Sequence, residues 1–124
     1  MLSTLLFSSN KKLAGIEYFG TAGISEHCLR AIKRLIQNDE NIEEARVLSA
    51  HQVHCFLLRL EQGGLIAVKS GFSSGYNGEG PRAFARALKL LANCGVEVEE
   101  YIVPSQLLER LDASALTEKD LGLI

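Results

Sequence analysis

Residues 70–82 read SGFSSGYNGEGPR, which sets four glycines around a tyrosine, an asparagine, a glutamate and an arginine. Arg82 carries a fork of donors suited to a carboxylate or phosphate held at two points. Tyr76 joins an aromatic body to a polar tip, so it is costly to leave wet and belongs either in the fold or in an interface. A strand, a glycine-rich loop and a helix together form the outline in which nucleotide folds bind phosphate through free N–H groups and the helix dipole. The details depart from it. Gly75-x-x-Gly78-x-Gly80 is not G-x-G-x-x-G, no Gly-Lys-Ser/Thr follows, Glu79 brings negative charge, and Pro81 removes a donor. The sequence thus argues against a nucleotide site and leaves Tyr76, Asn77, Glu79 and Arg82 as a candidate ligand-binding or partner-binding set. The competing reading is a tied-down turn, with glycines supplying left-handed angles and Ser and Asn making local hydrogen bonds.

Other reactive side chains form weaker constellations. His51, His54 and Cys55 with His27 and Cys28 are zinc-type ligands, yet on a strand His51 and His54 point to opposite faces, as do His54 and Cys55. No metal site is expected, and His54 should share the side of Phe56 and Leu58 as a hydrogen-bonded histidine at the core edge. Ser73, Ser74, Cys55, His54 and Glu79 supply parts for nucleophilic catalysis, but no G-x-S-x-G elbow places a serine on a strained turn. No catalytic residue and no cofactor are assigned. Glu97 and Glu99 share one face of a strand and Glu100 takes the other, which reads as a solvated or edge face.

The elements that must carry these residues are legible from periodicity. Ile16–Gly20 reads as a short strand, with Ser25 as the N-cap of a helix over 26–37 whose stripe is Cys28, Leu29, Ile32, Leu35 and Ile36. The run 45–70 is strand-like. A three-residue loop at Gln62-Gly63-Gly64 pairs Leu60 with Ile66, Leu58 with Val68 and Phe56 with Ser70. The other hairpin face, with Leu57, Arg59, Glu61, Leu65, Ala67 and Lys69, is mixed enough to suggest cover by another element or a second subunit. Pro81 opens a helix that buries Phe84, Ala87, Leu88 and Leu91 and stops at Gly95. A half-exposed strand over 96–103 follows, then a short helix behind Ser105 and a T-x-x-D capping box at Thr117 that docks Leu121 and Ile124.

These elements predict an α+β fold: a mainly antiparallel sheet with helices packed on one side, and a single β-α-β crossover, right-handed if formed, over 65–103. At 124 residues one domain spanning 1–124 buries a sufficient core. Thirteen basic residues against fifteen acidic ones, net −2, give no field for nucleic acid. The apolar Leu5-Leu6-Phe7 lacks a basic leader and is too short to cross a membrane, so it reads as a first strand or an arm. Cys28, Cys55 and Cys94 are odd in number and widely spaced, which fits reduced thiols in a cytoplasm.

The run from Gly71 to Ile124, with Gly75-Tyr76-x-Gly78-Glu79-Gly80-Pro81 at its head, resembles a group of bacterial proteins that share this Gly-Tyr-x-Gly-Glu-Gly-Pro motif and include mobile, integron-type gene-cassette products. No activity comes with that motif, so the resemblance implies a bacterial accessory protein and no catalytic residue. Together these readings give a small cytoplasmic, non-enzymatic association module, homo-oligomeric and with a further partner. The alternative is a small-molecule binding protein or enzyme with its pocket at the loop 71–82.

Overall fold

The structure, a computed structural model, describes residues 12–124. The Leu5-Leu6-Phe7 strand or arm lies outside them. The order is β1 (Glu17–Phe19), α1 (Ser25–Gln37), β2 (Ile42–Ala50), β3 (Val53–Leu60), β4 (Leu65–Ser73), α2 (Glu79–Asn93), β5 (Val98–Ile102), α3 (Ser105–Asp112) and α4 (Glu118–Leu121). Among the described residues no helix is long and apolar enough to cross a membrane.

The fold is α+β, built among the described residues on a five-stranded mixed sheet of order β1-β4-β3-β2-β5. The central ladders β2/β3 and β3/β4 are antiparallel, and the outer ladders β1/β4 and β2/β5 are parallel. β3 alone therefore runs against the other four. The expected crossover from β4 through α2 to β5 is present, and β1-α1-β2 forms a second one. Each skips the two strands between its ends.

Alternation along the strands divides two cores. On one face Val47, Phe56, Leu58, Ile66, Val68 and Phe72 meet Cys28, Ile32 and Leu35 of α1 and Ala87 and Leu91 of α2. The two long helices thus lie on one side, as their apolar stripes require. On the other face Leu48, Cys55, Leu57 and Ala67 are covered by Leu107, Leu108, Leu111 and Leu116 of the C-terminal segment. Leu57 and Ala67 belong to the hairpin face whose mixed character suggested cover by another element or a second subunit, and for these two residues the chain's own C-terminal segment is that element.

The hairpin register differs from expectation. Leu58 pairs with Ile66 and Phe56 with Val68, because the three loop residues are Glu61-Gln62-Gly63, with Gly63 in the left-handed region at φ +98°. The partner shifts by two residues, so each side chain keeps its face. Farther on, three residues, 69–71, stand opposite Cys55 alone, between the Phe56/Val68 and His54/Phe72 pairs. This bulge frees backbone groups that find new partners. The Ser70 carbonyl accepts from Gly23 N–H at 2.8 Å, and Ser70 N–H donates to Asp112 at 2.9 Å. Gly71 is needed there, because a Cβ would sit 2.7 Å from Cys28 Sγ and 2.8 Å from the Ile24 carbonyl oxygen.

Helix ends follow backbone more than side-chain caps. Ser25 is the first residue of α1 rather than its cap, and Ile24 holds the cap position without a side-chain bond. Pro81 lies in the first turn of α2, two residues after its start at Glu79. At α4 the capping box is complete, Thr117 and Asp120 each accepting from the other's N–H.

Candidate functional site

The loop between β4 and α2 turns back on itself. Gly75 takes φ +85°, whereas Gly78, at the cap of α2, is extended at φ 175°. Gly78 is demanded by space instead, since a Cβ there would stand 2.8 Å from the Tyr76 ring. A Cβ on Gly80 would overlap Ser73 Oγ and lie 3.1 Å from the Tyr76 hydroxyl. Tyr76 and Ser73 share a hydrogen bond of 2.8 Å across this gap. Tyr76 is 57% exposed, and Asn77, Glu79 and Arg82 are exposed as well. Of these four, the structure ties Tyr76 to its own loop and leaves the other three in solvent. A cleft of about 560 Å³ lies elsewhere, between β1 and α1, lined among others by Glu17, His27, Arg30 and Arg34.

Immediately beside the loop, four polar side chains from four segments form one line. Ser49 is next to last in β2, His54 is second in β3, Ser74 follows β4, and Glu100 lies on β5. Strand pairing makes them neighbours: Ser49 is opposite His54, His54 opposite Phe72, and Ser49 beside Ile102. Ser49 Oγ donates to Glu100 Oε2 at 2.7 Å, Ser49 Oγ and His54 Nδ1 are 2.6 Å apart, and His54 Nε2 and Ser74 Oγ are 2.7 Å apart. The donor count orients this chain. Ser49 spends its single proton on Glu100, so it accepts from Nδ1–H; a neutral imidazole then has a bare Nε2, which accepts from the Ser74 hydroxyl.

His54 is 4% exposed and lies flat against Phe84 of α2. Burial pushes its pKa below the usual histidine value, with the Glu100 carboxylate pulling the other way. The ring is therefore a neutral base at physiological pH. Burial also raises the thiols of Cys28 and, more strongly, Cys55, which keeps both protonated and unreactive.

His54 thus takes the core-edge place expected of it. Ser49 and Glu100 were missed, and the signal was faint: a serine in the apolar second half of a strand that also carries Glu43, Glu44 and Arg46, and one glutamate out of phase with Glu97 and Glu99.

No family model matches the chain, and no curated protein does. Among solved structures, a chain of respiratory complex I from Thermus thermophilus superposes with a TM-score of 0.67, at 19% identity, over 86% of this chain and 87% of that one. At that identity the similarity is one of fold.

Proposed function

We propose that the protein works by association, as a small bacterial accessory subunit that docks on a protein partner through the β5 edge of its sheet. Ile102 carries this reading. It is an isoleucine 79% exposed on a strand that, among the described residues, ends the sheet and pairs only with β2. An open edge offers a row of backbone donors and acceptors to an added strand, and Ile102 would supply the apolar anchor. The likeness to a chain of respiratory complex I supports a role within an assembly.

Charge selects the partner. Between Val96 and Val103 the chain has Glu97, Glu99 and Glu100 and no Lys or Arg. Two copies paired along this edge would oppose like charges at up to about 1 kcal/mol per pair, whereas a basic strand would be attracted. A second copy, if it binds, cannot use Leu57 and Ala67 of the hairpin face, because the C-terminal segment covers them.

Cross-linking in the producing cell followed by mass spectrometry, on the wild type and on Ile102→Lys, tests this directly. Cross-links from residues 97–102 to a basic segment, lost in Ile102→Lys, are the expected result. Identical cross-links in both proteins would remove the β5 reading, and a doubled mass by light scattering that survives the substitution would favour self-association at another face.

A further inference from the structure

We infer that Ser74 is a base-activated nucleophile that accepts an acyl group from an activated donor, a thioester or an ester of an acidic alcohol, with His54 as general base. The inference goes beyond docking: it shares Glu100 with the β5 edge but places the chemistry at Ser74, on the segment after β4. A nucleophilic serine needs a base at hydrogen-bond distance and a group that orients the base. Both are present: Nε2 is 2.7 Å from Ser74 Oγ, and the Ser49–Glu100 pair holds the Nδ1 proton at the far side of the ring. All hydrogen bonds in the chain point from Ser74 toward Glu100, the direction in which a proton must leave the hydroxyl.

Placement agrees with chemistry. A buried histidine kept only for packing needs partners but no route to solvent. Here the far end of the line, Ser74, is half-exposed, on the loop that leaves the carboxyl end of β4 and enters α2. Glu100, at the other end, lies 4.0 Å from Nδ1, close enough to stabilise the imidazolium formed when the proton arrives. Around His54, β5 contributes Glu100, β2 contributes Ser49, the segment after β4 contributes Ser74, and α2 contributes the uncharged Phe84 ring.

Ser74 Oγ attacks the carbonyl carbon and its proton passes to Nε2. The bond from that carbon to the leaving sulfur or oxygen breaks, and the proton on Nε2 goes to the leaving group. The products are acyl-Ser74 and a thiol or alcohol; water then releases a carboxylic acid by the same route. Loss of one oxyanion donor costs a serine hydrolase about 10²–10³ in rate. The Ser74 N–H, the nearest backbone candidate for that role, is already spent on the Gln52 carbonyl at 3.0 Å, so only donors with good leaving groups will react, which is why the substrate class is activated acyl compounds rather than peptides.

An alkyl fluorophosphonate tests it, since attack by Oγ at phosphorus expels fluoride and leaves a stable adduct. Intact mass and peptide mapping of the purified chain should show one adduct, on Ser74. Ser74→Ala should lower the labelling rate at least about a hundredfold, while Ser73→Ala should keep it. The rate should fall as pH drops and His54 takes up a proton. His54→Gln, checked by circular dichroism, should label as poorly as Ser74→Ala; if it does not fold, the pH profile of the wild type decides the same point. No adduct, an adduct on another residue, unchanged labelling in Ser74→Ala, or a rate independent of pH would each overturn the assignment.

Discussion

His54 lies face to face with Phe84, their ring centroids 4.2 Å apart and their planes 6° from parallel. That contact joins the polar line at one end of the sheet to the core, because Phe84 also lies 6.1 Å from Phe56 and 6.4 Å from Phe72. Phe84→Ala should therefore act twice. It opens a cavity costing roughly 2–3 kcal/mol at this half-buried position. It also wets His54, so the histidine pKa should rise toward its ordinary value. A urea titration measures the first effect, and the pH dependence of the His54 ring proton by NMR measures the second. An unmoved pKa would mean that Phe84 is not what keeps water from the ring.

Gly78 and Gly80 should resist alanine for different reasons. Neither needs a left-handed angle; the obstacle at Gly78 is the Tyr76 ring, and at Gly80 it is chiefly Ser73 Oγ. Tyr76→Ala should consequently rescue most of the stability lost in Gly78→Ala, with a coupling of about 1 kcal/mol, and much less of that lost in Gly80→Ala. Melting temperatures of the three single and two double variants check this. Equal rescue at both positions would show that the loop is strained as a unit.

Local signals were readable where local physics decides. The stripe Cys28, Ile32 and Leu35 placed α1 on the sheet, and Thr117 with Asp120 announced a capping box that the structure completes. The β2/β3 turn was not readable. His51 adopts φ +57° between Ala50 and Val53, yet His-Gln has none of the Gly, Asn or Pro that mark such turns. The hairpin loop moved by one residue because either Gly63 or Gly64 could take the left-handed place. The Ser49–His54–Ser74–Glu100 line was hidden for another reason: Glu100 reaches Ser49 across 51 positions of sequence, through a parallel pairing of β2 with β5 that periodicity does not reveal.

Acid should loosen the fold through His54. Its folded-state pKa lies below the unfolded value of about 6.5, so between the two the unfolded chain binds a proton that the native state refuses. The contribution of this group is fully present above about pH 6.5 and is lost progressively as pH falls toward the folded pKa, at no more than about 1.4 kcal/mol per pH unit. Urea midpoints between about pH 7.5 and about pH 5.5 should drop in the wild type. A folded His54→Gln should show a flatter dependence, and an equal slope in both would move the effect to another group.

At the C-terminus, Arg110 grips Asp120 through two hydrogen bonds, Nε to Oδ2 at 2.9 Å and Nη2 to Oδ1 at 2.6 Å. Asp120 is buried and also accepts from Thr117 N–H at 2.9 Å, so one carboxylate closes the α4 box and ties α4 to α3. The Arg110 hydrogen bonds hold its pKa below the usual carboxylate value, with burial opposing and Thr117 assisting. Stability from this pair is thus present above about pH 4 and lost as pH falls through the folded pKa. Arg110→Ala leaves the carboxylate buried with its capping bonds alone, which should cost about 1–3 kcal/mol and start acid loosening of the C-terminal segment at higher pH. Asp120→Asn removes the charge while keeping the shape. If the pair acts as described, adding Arg110→Ala to Asp120→Asn should cost much less than Arg110→Ala alone. Additive losses in this double-mutant cycle, read from urea midpoints at neutral pH, would mean that each residue acts through other contacts.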